Sequence, residues 1–242
     1  MIAEKEDMLA LGIGGEGMVD RVVRSVIAMI RSDDLRVGDA LPGENALAAR
    51  LGVSRAVIRE AFRSLSALRI LDIGNGRNAR IAVPDSDTFG LLFDHVVHTR
   101  HVTVQQVLDV RRSIEVRTVV LAAVRRTERE AQAILQHAAG MRESFEDPAS
   151  VLEHDLRMHA AIAEAARNPM FTIMVKSFEA VTRNNWPIGW KSRESEQERW
   201  KMIAVHEAIA QAVADQDVEA ARITMSAHFD DTIRALAIAG FN

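Results

Sequence analysis

The chain contains no cysteine, which excludes a disulfide framework and any thiolate metal site. It also lacks any apolar run approaching the roughly 18 residues that a membrane span needs. Its first residues, Met-Ile-Ala-Glu-Lys-Glu-Asp, place charges where a signal peptide carries its apolar region. These absences predict a cytoplasmic protein with no membrane partner. Internal repeats and low-complexity tracts are missing too. Nor is there an overall positive charge: the net of −4, taken alone, argues against a nucleic-acid partner.

What is present is an ordinary globular balance, 48% hydrophobic and 26% charged over 242 residues, enough for one or two domains with real cores. The charge is unevenly spread. Residues 43–83 carry seven arginines (50, 55, 59, 63, 69, 77 and 80) against Glu44, Glu60 and Asp72. From residue 84 onward, 18 basic residues face 23 acidic ones. A basic segment joined to an acidic body suits a small DNA-reading module on a larger domain.

Residues 1–17 are polar and Gly-rich and are expected to form a flexible arm. From Val19, apolar residues recur at 19, 22, 23, 26, 27 and 30, the spacing of one buried helix face. A short helix is expected over 44–51, ended by Gly52 as C′ residue. Ser54 then caps a third helix running to about Leu68, with Ile58, Ala61, Phe62, Leu65 and Leu68 as its buried stripe. Ile70–Ile73 and 78–83 flank Gly74-Asn75-Gly76-Arg77 as two short strands around a turn. That order is a winged helix-turn-helix over 18–83. A linker is expected over 84–88, and 89–242 reads as an all-α bundle. Its helices are placed near 87–98, 103–125, 128–145, 148–166, 169–186, 194–215 and 217–239. The fold class is therefore mainly α, a winged helix-turn-helix followed by a helical bundle.

On the third helix, Arg55, Arg59 and Arg63 recur every four residues opposite the buried stripe. Guanidinium groups suit both phosphates and bidentate contacts to guanine. Arg55 and Arg59, toward the helix N-terminus, are expected to read bases, and Arg63 to meet a phosphate. In isolation the same pattern describes a solvated charged face. The tight Gly52-Val53-Ser54 turn before the helix and a hairpin tipped by Arg77 after it favour the DNA-reading alternative. Asn45, Ser54 and Arg77 complete the expected DNA-facing set.

These residues resemble a known family. The run Leu41-Pro42-Gly43-Glu44, with Leu47-Ala48, Leu51-Gly52-Val53-Ser54-Arg55 and Ile58-Arg59-Glu60-Ala61, is similar to the GntR superfamily of bacterial regulators. The helical remainder looks like the ligand-binding domain of its FadR-type branch, so that the resemblance covers about residues 18–239. It implies a homodimer bound to an inverted-repeat operator in double-stranded DNA. It also implies repression as the commoner mode of control. Where that family usually has an arginine early in the second helix, this chain has Asn45, a residue able to pair with adenine.

A second constellation lies in the helical domain. Asp155 and His159 share a face at i and i+4. His206 and His228 each lie 11 residues from Asp217, so in an antiparallel helical hairpin both stand about 16 Å from the turn. Singly, each histidine would read as a core or surface residue; the symmetric placement singles them out. One carboxylate and three imidazoles suit a divalent ion such as Zn, Ni or Mn, and the family resemblance carries ligands onto the same four positions. The resemblance also places a polar pocket residue at Arg111, one turn before Glu115, where it would clamp a small carboxylate effector such as a sugar acid or hydroxy acid. The alternative is an Arg111–Glu115 pair on a solvated face.

The reading that follows is a DNA-binding transcription regulator, not an enzyme, whose operator binding is controlled by an organic acid at a metal site. Two alternatives stay open: a metal-dependent enzyme with a DNA-binding appendage, and a regulator whose metal is purely structural. Against the enzyme stands the lack of a nucleophile motif such as Gly-x-Ser-x-Gly or of an evident acid–base partner for the cluster.

Overall fold

The computed structural model describes residues 17–83 and 85–240. The arm expected over 1–17 lies outside the described residues apart from Gly17. The chain divides into two compact units, one through Asp85 and one from Ser86, each built around its own core.

In the first unit, α1 (Met18–Ser32) turns Val22, Val26 and Met29 inward. Helix α2 (Glu44–Leu51) ends at Gly52, whose φ of 64° is left-handed, a conformation that costs glycine nothing. Ser54 then starts α3 (Arg55–Ala67) by accepting the Val57 N–H. Ile58, Ala61, Phe62 and Leu65 of α3 are buried against Leu41, Leu47 and Leu71. Burying each such large side chain stabilises the unit by about 1.5–3 kcal/mol. Leu68, expected in that stripe, is 53% exposed, because α3 has already ended and Leu68 is its C-cap.

The hairpin is shorter than its sequence suggests. Strands β1 (Leu71–Asp72) and β2 (Arg80–Ile81) pair antiparallel, Leu71 with Ile81 and Asp72 with Arg80. The outer side of 79–81 bonds instead to the segment before α2: Leu41 N–H to Ala79 O, Ile81 N–H to Asp39 O and Gly38 N–H to Ile81 O. A buried backbone group must find a partner, and here part of the ladder is supplied by 38–41.

The second unit holds eight helices among the described residues: α4 (Ser86–His98), α5 (Val104–Arg125), α6 (Glu128–Glu143), α7 (Pro148–Ala165), α8 (Pro169–Ser177), α9 (Glu179–Ser192), α10 (Glu196–Ala214) and α11 (Val218–Ile238). Helix α4 begins at Ser86, inside the expected 84–88 linker. Local chemistry explains most starts. Thr103–Gln106, Thr127–Glu130 and Ser195–Glu198 are capping boxes. Asp147 and Asn168 cap helices that carry proline at the first position. Helices α10 and α11 form a hairpin across Asp215–Asp217, with Asp217 capping Ala220. Against that hairpin pack α5 and α6, with α7 packed on both, around Met158, Ile162, Ile209, Val213, Met225 and Phe229. No helix among the described residues is long and apolar enough to cross a membrane.

One expectation in this unit is corrected. The single helix over 169–186 is broken at Phe178, and its second half, α9, runs on to Ser192 through Pro187 and Gly189. Trp186 and Trp190 therefore lie on one helix and stack at 5.1 Å. With Phe145, Met202 and Ile203 they form a separate apolar cluster. A proline inside a helix costs about 3 kcal/mol, which two tryptophans packed on that cluster offset. His137 is half-buried beside His154, with ring centroids 5.8 Å apart. Burial, then the neighbouring His154, lowers its pKa.

Candidate functional site

Two regions carry the chemistry. In the first unit Arg55, Arg59 and Arg63 are all exposed on α3. Arg59 Nη2 lies 3.1 Å from Glu44 Oε2 at the start of α2, and Arg63 Nη1 lies 3.1 Å from Glu60 Oε2. Arg55 has no ion-pair partner among the described residues. Arg77 pairs with Asp72 at 2.7 Å beside the hairpin turn, and Asn45 is exposed on α2. Ser54 is exposed, and its hydroxyl oxygen caps α3. Exposed ion pairs of this kind are held weakly, so the guanidiniums remain available to a stronger anion.

The second region is buried. Asp155 and His159 come from α7, His206 from α10 and His228 from α11, and all four are less than a tenth exposed. The candidate ligand atoms of the three histidines lie within 4.8 Å of one another. Asp155 Oδ1 sits 2.7 Å from His206 Nε2 and 3.6 Å from His159 Nε2. Yet these three atoms make no well-formed hydrogen bond. Buried polar atoms are rarely left so. They point toward a shared volume rather than at one another, which is the arrangement that a cation would satisfy.

The outer nitrogens explain why. His206 Nδ1 donates to the Met202 carbonyl at 2.8 Å, leaving Nε2 as the inward nitrogen. His159 Nδ1 makes a short hydrogen bond to Glu115 Oε2 on α5. Fixing one ring nitrogen in this way sets what the other presents. Burial together with the adjacent His206 and His159 lowers the His228 pKa well below the ordinary imidazole value, so that its ring is neutral.

Glu115 is the member of this buried cluster that the sequence reading paired with Arg111 but did not assign to the histidine centre. Burial would raise its carboxyl, but the charges of Arg111 and His159 outweigh burial and hold it at about 2. Burial likewise opposes ionisation of Asp155, and the imidazoles of His206, His159 and His228 more than compensate, lowering its pKa. On His159, burial disfavours the charged ring; the Glu115 and Asp155 carboxylates reverse that and raise its pKa. The signal available was the i,i+4 spacing of Arg111 and Glu115, which exists as a 2.9 Å pair. That pair is buried rather than on the solvated face considered as the alternative.

A cavity of about 650 Å³, part of it continuous with solvent, opens beside the centre. Asp155, His206 and His228 line one side of it, with Arg111 close by. Arg111 donates from Nε to Glu115 and from Nη1 to Thr182 Oγ1 at 2.8 Å. Its Nη2 has no protein partner among the described residues. The candidate effector arginine and the histidine centre therefore share one space.

Comparison with known proteins agrees with this division. Residues 18–81 match the family described as bacterial regulatory proteins, gntR family, and residues 106–231 match the FCD domain. The HTH-type transcriptional regulator LutR of Bacillus subtilis is 27% identical over 208 residues, covering 83% of this chain and 92% of the relative. The HTH-type transcriptional repressor NanR of Citrobacter rodentium is 26% identical, over 84% of this chain and 78% of its own length. The Glc operon transcriptional activator of Escherichia coli is 30% identical, over 68% of this chain and 66% of its own. In fold, the chain superposes on a Streptococcus agalactiae GntR structure with a TM-score of 0.62 at 24% identity, over 89% and 99% of the two chains. These relatives are regulators of transcription rather than enzymes. With a GntR helix-turn-helix followed by an FCD effector domain, the chain belongs to the FadR-type branch of the GntR family of bacterial DNA-binding transcription regulators.

Proposed function

We propose that this regulator is a metal-dependent repressor that leaves its operator when a small organic acid binds. The observation that carries the reading is the cluster of buried, unpartnered Asp155 Oδ1, His159 Nε2 and His206 Nε2, of which Asp155 and His206, with His228, line a cavity shared with Arg111. Asp155, His159, His206 and His228 would hold a divalent ion, Zn, Ni or Mn by the chemistry of an oxygen and three imidazole donors. Bound there, the ion supplies a Lewis-acidic centre for the oxygens of a carboxylate. Arg111 Nη2 would bind the same carboxylate.

On the DNA side, two copies of the chain would form a homodimer on an inverted repeat. Arg55 and Arg59 contact bases and Arg63 a phosphate; Asn45, Ser54 and Arg77 flank them. Loss of DNA binding on effector binding requires different affinities for the DNA-competent and DNA-free forms. The named relatives include both repressors and an activator; repression is preferred here as the commoner habit of the family. A purely structural metal is disfavoured because three of the four candidate ligands face the cavity.

Elemental analysis of purified protein, beside the His206→Ala variant, tests the centre. The wild type should retain one divalent ion per chain and the variant should lose it. Equal metal content in the two would sink the site. Operator binding measured with and without candidate acids then tests the sensor, and the regulated gene's transcript level separates repression from activation.

A further inference from the structure

The effector cavity is poorly equipped to read hydroxyl groups. Thr182 Oγ1 donates to the Phe178 carbonyl at 2.9 Å and accepts from Arg111. Thr232 Oγ1 donates to the His228 carbonyl, and Asn185 Nδ2 to the Val181 carbonyl. Away from the arginines and the histidine centre, each of these side chains thus commits a donor to a carbonyl of its own helix or helix cap, which leaves few sites such as Asn185 Oδ1 for a hydroxyl. Opposite the charged centre, the wall includes the apolar Val104, Val107, Leu108, Val181 and Leu236 and the ring of Trp186.

Charge narrows the choice further. Arg111 is neutralised by Glu115 at 2.9 Å. Arg193, the other guanidinium on this cavity, is neutralised by Asp231 at 2.5 Å, with its Nη1 on the Gly189 carbonyl. With neutral imidazoles, a divalent ion beside the Asp155 carboxylate leaves one unmatched positive charge. One carboxylate balances that charge; a second would have to displace Asp231 from Arg193 or remain uncompensated in an apolar wall.

We propose that the effector is a monocarboxylate with an apolar body, aliphatic or aromatic, rather than a sugar acid or a dicarboxylate. The inference rests on the reading that the acid binds at the metal beside Arg111. Its carboxylate lies toward Arg111 and the histidine centre, and its body lies along Val107, Leu108, Val181 and Leu236. A sugar acid would bring hydroxyls that lose water and find few free partners, which weakens binding.

The test is calorimetric titration of full-length, metal-loaded protein with a carbon-matched series: hexanoate, gluconate and adipate, with phenylacetate as the aromatic member. Fluorescence of Trp186, on the cavity wall, gives a parallel readout, compared with a Trp186→Phe variant to isolate its signal. Hexanoate or phenylacetate should bind at least tenfold more tightly than gluconate and adipate. The near-isosteric Val107→Thr variant should narrow that gap if it melts like the wild type. Equal or tighter binding of gluconate or adipate overturns the proposal and leaves the carboxylate anchor standing. Apolar acids that bind equally well to metal-free protein and to Arg111→Ala support the apolar wall and overturn the anchor. No binding by any acid of the series overturns both.

Discussion

The Glu115 carboxylate stands between Arg111 and His159, one oxygen accepting from Arg111 Nε at 2.9 Å and the other bound to His159 Nδ1. All three side chains are buried. The candidate effector arginine and a candidate metal ligand are therefore joined through a single carboxylate. A change at either end alters the electrostatics of the other, because a buried charge has little solvent to screen it.

That relationship gives a direct test of Glu115 as a positioning residue. Glu115→Gln keeps the shape and removes the charge, so His159 is left at best with a neutral amide acceptor and loses the carboxylate that raises its basicity. Metal affinity, measured by competition with a chelator of known strength, should fall about 10- to 100-fold. The melting temperature of the metal-free protein shows whether the variant is folded. Wild-type metal affinity in a folded variant would remove Glu115 from the centre.

Metal binding should depend on pH in a defined direction. In the metal-free protein Glu115 and Asp155 raise the His159 pKa against burial, so a proton occupies that ring at higher pH than usual. An incoming cation must displace it. His228 has its pKa lowered and contributes no such proton. Affinity should therefore fall as pH drops, and binding near neutral pH should release a proton that is no longer released at alkaline pH. Calorimetry in two buffers of different ionisation enthalpy measures the release; a metal uptake without proton release at pH 6 would contradict the arrangement.

Much of this architecture was legible because its signals are local. Gly52 and Ser54 bound α2 and α3 through turn and cap chemistry that acts within a few residues. The i,i+4 spacing of Asp155 and His159, and the equal distance of His206 and His228 from Asp217, single out the four residues from the sequence alone. What was not legible depends on distant packing. Glu115 meets His159 across 44 positions of sequence. The continuation of α9 through Pro187 and Gly189 is dictated by an apolar cluster drawn from α6, α7 and α10, against local propensity that favours a break.

If that cluster is what holds α9 helical, Trp190 is its principal anchor, at 6% exposure and in contact with both Phe145 and Trp186. Trp190→Ala should cost about 3–5 kcal/mol, read as a lowered urea midpoint with an unchanged slope. It should also loosen the wall carrying Trp186 and weaken effector binding. A cost below 1 kcal/mol would mean that helix α9 persists without this packing.

On the DNA side the arginines of α3 are expected to divide their roles. Arg59 is held by Glu44 from α2 at 3.1 Å, a contact that aims its guanidinium while leaving the side chain exposed. Arg63 lies one turn farther along, paired only within its own helix. Arg59→Ala should lose discrimination between operator and random DNA, by about 1–3 kcal/mol, while keeping most of the salt dependence. Arg63→Ala should weaken operator and random DNA alike and reduce the slope of log affinity against log salt by about 1. Binding titrations at several salt concentrations on both DNAs separate the two behaviours. Exchanged outcomes, with Arg63→Ala losing discrimination and Arg59→Ala only salt dependence, would place the base-reading end of α3 one turn farther toward its C-terminus.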